Sequence, residues 1–230
     1  MAGSTLLFDN AFIVSLKQLS CSERFPWYIL AATALSACNF PHEIPAIYRY
    51  ALEHDARDQA SQLVLTHKMR EALFKGSLLG GLPKGINALR AIKNALPDHL
   101  HEDPSPRVKE KLSSSQIEER GKEFFNRTYG KVAERILKNI TSSYKDLGDA
   151  AIKTIYGSVM SNVQILSPRE TSLVMIATLI PLDVPPQLRG HLKGGLNNGA
   201  TMEEIRAARA ISMAVCQKCG VKWRGEVSNL

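Results

Sequence analysis

Between Ser167 and Gly220 the chain carries three complete sets of helix start and stop signals in close succession, and this punctuation constrains the fold more than any other feature. Ser167, Pro168 and Glu170 supply an N-cap oxygen, a first-turn proline and a reciprocal capping carboxylate. Leu173, Val174, Ile176 and Ala177 follow at helical spacing, and this helix is expected to end near Pro181. Asp183 with Pro185 and Pro186 opens a second helix, which carries Leu188, His191, Leu192, Gly195 and Leu196 on one face and stops at Asn197-Asn198-Gly199. Thr201, three positions before Glu204, caps a third helix running through Ile205, Ala208, Ile211 and Val215 to Gly220. Upstream, Ser115 with Glu118 marks a further start, and residues 149–159 read as helix. Residues 66–79 and 86–96 read as helices around a loop at Gly80-Gly81-Leu82-Pro83. No strand alternation competes, so the fold class is all-α.

A chain of 230 residues with 44% hydrophobic and 22% charged residues can bury a core, which excludes disorder as its main state. The longest apolar run, residues 27–38, falls short of the roughly 20 residues that span a bilayer. Four cysteines in a chain of this size make no disulfide framework, so a soluble, non-secreted protein in a reducing compartment is expected. The net charge of +7 would attract an anionic partner, equally a small carboxylate, a nucleic acid or a membrane face. Nucleic-acid binding is not expected, because the basic residues between Arg107 and Lys145 alternate with Glu118, Glu119, Glu123 and Glu134 and lack a stacking aromatic platform. Residues 97–115 are polar and proline-bearing, which divides the chain into a helical half (1–96), a linker (97–115), a second half (116–221) and a tail (222–230). The halves echo each other. Ala32-Thr33 through Asn39-Phe40-Pro41 parallels Ala177-Thr178 through Asp183-Val184-Pro185, and Ile47 stands in the first copy where His191 stands in the second.

The segment QLRGHLKGGLNNG from Gln187 to Gly199, with ATMEEIRAA and the CGV ending at Val221, resembles the carboxymuconolactone decarboxylase family. The likeness extends upstream through GKEFFNRTYG (ending at Gly130), YGSVMSN (from Tyr156) and LSPRETSLVMIATL (from Leu166). MREALFKGSLLGGLPKGINAL, from Met69, looks like the other half of the wider alkylhydroperoxidase D-like superfamily. The resemblance implies an all-helical fold assembled as a homo-oligomer, a trimer or hexamer. In the peroxidase branch a C-x-x-C-x-x-x-H motif ends on the histidine equivalent to His191, but here Val184 and Gln187 hold the cysteine positions. No thiolate nucleophile is available there, so peroxidase chemistry is not expected at that site. A separate C-x-x-C at Cys216 and Cys219 closes the last helix, an end whose dipole disfavours thiolate, and reads as two small core residues on one turn.

The decarboxylase reading implies a lyase that needs no cofactor and no metal, acting on a small carboxylated lactone. Loss of CO2 drives electrons toward the ring carbonyl, so the site must stabilise that oxygen and deliver a proton to carbon. His191 is the expected donor or acid and Glu170 the acid that relays protons; Arg169, Arg189 and Lys193 are the expected carboxylate anchors. Where family decarboxylases place an arginine, this chain has Thr171 before Ser172. The second reading is a non-catalytic oligomeric binding or scaffold protein, and the third a thiol-dependent antioxidant resting on Cys216 and Cys219. The chain closes on Ser228-Asn229-Leu230, one change from the S-K-L address, with Lys222 and Arg224 upstream. A peroxisomal matrix location, with the cytoplasm as the alternative, and a peroxisomal import receptor as partner follow as expectations; the tail itself is expected to fray.

Overall fold

A computed structural model describes residues 7–101 and 111–230. Among these residues the regular structure is helical throughout, with no strand. The first half contributes α1 (Asn10–Gln18), α2 (Trp27–Ala37), α3 (Ile44–Asp55), α4 (Gln59–Gly80) and α5 (Leu82–Lys93). The second contributes α6 (Ser114–Tyr129), α7 (Ala133–Ser143) and α8 (Lys145–Ala150), which runs on into a π-helical stretch, Ala151–Met160. It closes with α9 (Pro168–Leu182), α10 (Pro185–Asn197) and α11 (Met202–Lys218).

Two helices form the centre. Every residue of α2 is buried, and α9 is buried without a break from Glu170 to Ile180, so neither shows the one-sided pattern of a surface helix. No side chain caps α2 at Pro26, so burial has to carry it. Trp27, Ile29, Leu30 and Leu35 are at most 2% exposed, each contributing about 1.5–3 kcal/mol against a backbone ordering cost of about 1–2 kcal/mol per residue. Helices α4 and α11 each pack on both α2 and α9, while α3 leans on α2 and α10 on α9. One hydrophobic cluster therefore draws on both halves of the chain. Of the segment read as a linker, residues 102–110 lie outside the described residues, and Leu100 at its start is buried.

The expected caps at Ser167 and Thr201 close as reciprocal boxes with Glu170 and Glu204. The start expected at Ser115 lies two residues earlier: Ser113 is the cap and Gln116 fills the reciprocal role. The loop expected at Gly80-Gly81-Leu82-Pro83 shrinks to one residue, because Gly81 at φ 109° turns the chain and Pro83 enters the first turn of α5. Asn39 (φ 64°) and Asp183 (φ 54°) are the two non-glycine residues with positive φ among the described residues, and they occupy matching places in the sequence echo. Thr33 and Thr178, also matching, donate to Ile29 O (2.6 Å) and Val174 O (2.9 Å) and converge on Gly76 of α4.

The tail packs where fraying was expected. Trp223 donates from Nε1 to Ile180 O at 2.8 Å, Arg224 binds Asp183, and Val227 is buried. Arg209 donates to Val227 O (2.7 Å) and Ser228 O (3.1 Å), satisfying carbonyls that a short tail would otherwise leave to water. Asn229 and Leu230 remain exposed.

Candidate active site

His191 lies near the middle of α10, only 5% exposed, and faces α6. Gly194, one turn on, brings the two helices together: a Cβ there would sit 2.7 Å from Thr128 Cγ2. The helix stop adds a polar clamp, since Asn197 donates to Thr128 O (3.0 Å) and Asn198 to Thr128 Oγ1 (2.9 Å) and Ser172 Oγ (3.0 Å). Held this way, the imidazole meets Tyr129, the last residue of α6, with 3.2 Å between Tyr129 Oη and His191 Nε2. Tyr156 of the π-helical stretch donates its hydroxyl to Tyr129 Oη at 3.1 Å. Phe124, Phe125, Ile152 and Met160 surround the tyrosines.

This order of donors suits one histidine tautomer: with Tyr156 donating to Tyr129, a Tyr129 proton directed at His191 Nε2 goes with a ring proton on Nδ1. Nδ1 is buried and has no hydrogen-bond partner among the described residues. Burial pushes the imidazole pKa down to about 4, so His191 is neutral at pH 7. Burial likewise raises Tyr129, and it raises Tyr156 further with the neighbouring Tyr129 adding to it, so all three groups hold their protons without net charge. The result is a neutral chain of two phenols and an imidazole ending in a buried ring nitrogen without a partner among the described residues.

The other residues singled out from the sequence stand apart from this relay. Glu170 closes the Ser167 capping box and binds Lys68 of α4 at 2.6 Å. Burial opposes its charged form, but the hydrogen bonds from Lys68 and Ser167 outweigh this and hold its pKa below the usual carboxylate value. Arg169 is ion-paired with Glu204 of α11. Arg189 and Lys193 are exposed, two positions either side of His191 and so turned to other faces of α10. Tyr129 and Tyr156 lie within the quoted GKEFFNRTYG and YGSVMSN motifs but received no role from spacing; a tyrosine ending one helix and another inside the next are silent until the helices are packed.

Lys75 was also missed. Its ammonium is fully buried, 2.8 Å from Thr171 Oγ1, 2.7 Å from Asn162 O and 3.6 Å from Glu71 Oε1. The cation absent from position 171 thus arrives from α4, but it is spent on carbonyls and on Glu71 and not presented to a cavity. The signal in the sequence was Glu71 four positions before Lys75, an i,i+4 pair that reads equally well as a solvated face.

A fold of this kind, with its histidine on a glycine-rich helix after a capped central one, places the chain by class. The chain belongs to the carboxymuconolactone decarboxylase family, whose sequence profile matches residues 149–223. It is similar to peroxisomal protein 2 of Schizosaccharomyces pombe, 42% identical over 205 residues, covering 88% of this chain and 91% of that protein. It is also similar to peroxisomal protein 2 of Saccharomyces cerevisiae, 35% identical over 274 residues, covering 95% of this chain and 97% of that one. Both names support a peroxisomal location for this chain.

Proposed function

We propose that the chain is a lyase of the carboxymuconolactone decarboxylase type, acting without an organic cofactor on a small carboxylated, lactone-like substrate. The observation that carries this is the buried, unpartnered Nδ1 of His191 at the end of the Tyr156–Tyr129–His191 relay. In the reaction the bond to the departing carboxylate breaks, CO2 leaves, and the electron pair passes through the conjugated system onto the ring carbonyl oxygen. A neutral N–H in a water-poor site stabilises that developing charge more strongly than it would in water. The phenols behind it hold the ring orientation and pass a proton toward the substrate carbon. Arg189 and Lys193, exposed on neighbouring faces of the same helix, draw an anionic substrate toward it. Glu170, held charged by Lys68 and the Ser167 cap, is bound into the frame of α9 and supplies no proton. A homo-oligomer, trimeric or hexameric, completes the substrate entrance. We propose further that Ser228-Asn229-Leu230 carries the address read by an import receptor.

Turnover of 4-carboxymuconolactone and related lactone acids by the wild type, against His191→Gln and Tyr129→Phe, tests the reading. A loss of about 10²–10⁴-fold in His191→Gln with fold and assembly intact is expected. Equal rates in the two proteins would sink the role of His191.

The second reading, a non-catalytic oligomeric binding protein with the same fold, is favoured by one arrangement: Arg169 is engaged by Glu204, and Arg189 and Lys193 face solvent. Wild-type protein that turns over no lactone acid yet binds one would select it. The thiol-dependent antioxidant reading ranks third, because Cys219 is pushed to hold its proton by the hydrogen bond with Cys38 and by burial.

A further inference from the structure

Three of the four cysteines meet at one end of the central helices. Cys38 caps the C-terminus of α2, Cys216 lies in the last turn of α11 and Cys219 caps that helix. All are free thiols. The Cys38 and Cys216 sulfurs are 3.8 Å apart across 178 positions of sequence, so the sulfur facing Cys216 comes from the other half of the chain. Cys38 is half-buried and reachable, Cys216 is fully buried, and Cys21, the fourth thiol, is exposed away from the group.

We propose that Cys38 and Cys216 form a reversible disulfide, with a hydroperoxide as oxidant, joining α2 to α11. Cys38 loses its proton to solvent and its sulfur attacks the distal peroxide oxygen; the O–O bond breaks, the departing hydroxide takes a proton, and Cys38 is left as sulfenic acid with one water released. The Cys216 sulfur then attacks the Cys38 sulfur, the S–O bond breaks, and the Cys216 proton leaves with the hydroxide as a second water. Two thiols are oxidised and one peroxide is reduced to two waters.

Cys38 is the thiol that reacts first for two reasons. It is the more accessible of the pair, and Lys84, which donates to Ala37 O at 2.6 Å, sets a cation beside it. The remaining surroundings oppose ionisation. Its hydrogen bond with Cys216 is the strongest influence; Cys219 offsets part of it, burial adds to it and Lys84 helps least, and together they push the Cys38 pKa up to about 12, while Glu43 adds negative charge near Cys219. The thiolate is thus scarce at neutral pH, and crosslinking is slow there and accelerates about tenfold per pH unit through the range where the fold holds.

The test uses the full-length wild-type protein and hydrogen peroxide at pH 7 and pH 8.5, with remaining thiols alkylated before non-reducing peptide mapping. The expected product joins the Cys38 peptide to the Cys216 peptide, forms faster at pH 8.5, reverts with dithiothreitol and raises the urea midpoint, while Cys21 stays outside the crosslink. A Cys38–Cys219 or Cys216–Cys219 link would overturn the pairing. Recovery of Cys38 as free thiol, or as sulfinic acid with Cys216 still free, would overturn the disulfide itself. Cys38→Ser, in which the link is expected to vanish, separates specific pairing from random oxidation; persistence of a Cys216 crosslink in that variant would also defeat the proposal.

Discussion

At His191 a single substitution of environment, from water to a packed helix interface, decides the chemistry. The folded pKa of about 4 lies below the ordinary value of 6.5, so between these values the unfolded chain binds a proton that the folded one refuses. Stability from this source is complete above pH 6.5 and is lost progressively as pH falls toward 4, amounting to about 3 kcal/mol at the level of one pKa unit per 1.36 kcal/mol. Urea midpoints measured from pH 7.5 to pH 4 are expected to fall in the wild type and to fall less in His191→Gln. A slope unchanged by the substitution would move the acid sensitivity elsewhere. Lys75 makes the complementary case. Lys75→Met removes the ammonium that serves Asn162 O and Thr171 Oγ1 and leaves Glu71 buried beside an apolar chain, which costs about 3–5 kcal/mol. Replacing Lys75 and Glu71 together by apolar residues is expected to recover part of the loss in thermal melts, because an absent pair needs no compensation.

At the scale of elements, α6 against the π-helical stretch is the contact on which the relay depends. Gly121 and Gly157 let the two backbones approach so closely that a Cβ at Gly157 would lie 2.8 Å from Ile117 O and one at Gly121 2.7 Å from Gly157 Cα. Backbone atoms cannot swing aside as a side-chain tip can, so Gly157→Ala must move α6 or the π-helical stretch bodily. A cost of about 1–3 kcal/mol is expected by chemical denaturation. Since α6 ends on Tyr129 and the π-helical stretch carries Tyr156, turnover should fall more than stability alone explains. The π geometry itself was not legible in residues 149–159, which read as plain helix; the wider turn of Ala151–Met160 includes Gly157, which lies against α6.

At the scale of the molecule, the tail and the core join distant parts of the chain. Val227 and the backbone of Ser228 are docked through Arg209, leaving Asn229 and Leu230 outward. A reporter fused so that residues 228–230 remain at the end is expected to collect in peroxisomes, and one lacking them to spread through the cytoplasm. Arg209→Ala, which frees the tail without shortening it, should keep the punctate pattern; identical diffuse patterns for all three would remove the tail as an address.

The helix class, the caps at Ser167 and Thr201, the break at Gly81 and the place of His191 on the inner face of α10 were legible in the sequence because each is a local matter of hydrogen-bond donors, backbone angles and periodicity. The family likeness was legible for the same reason, as contiguous motifs. What surrounds His191 was not. Tyr129 lies 62 positions away, Lys75 reaches Thr171 across 96 and Cys38 meets Cys216 across 178, and none of these pairings has a spacing rule. Packing α10 on α6, α4 on α9 and α2 on α11 decides them, because side-chain neighbours across helices follow from which faces exclude water together and not from order along the chain.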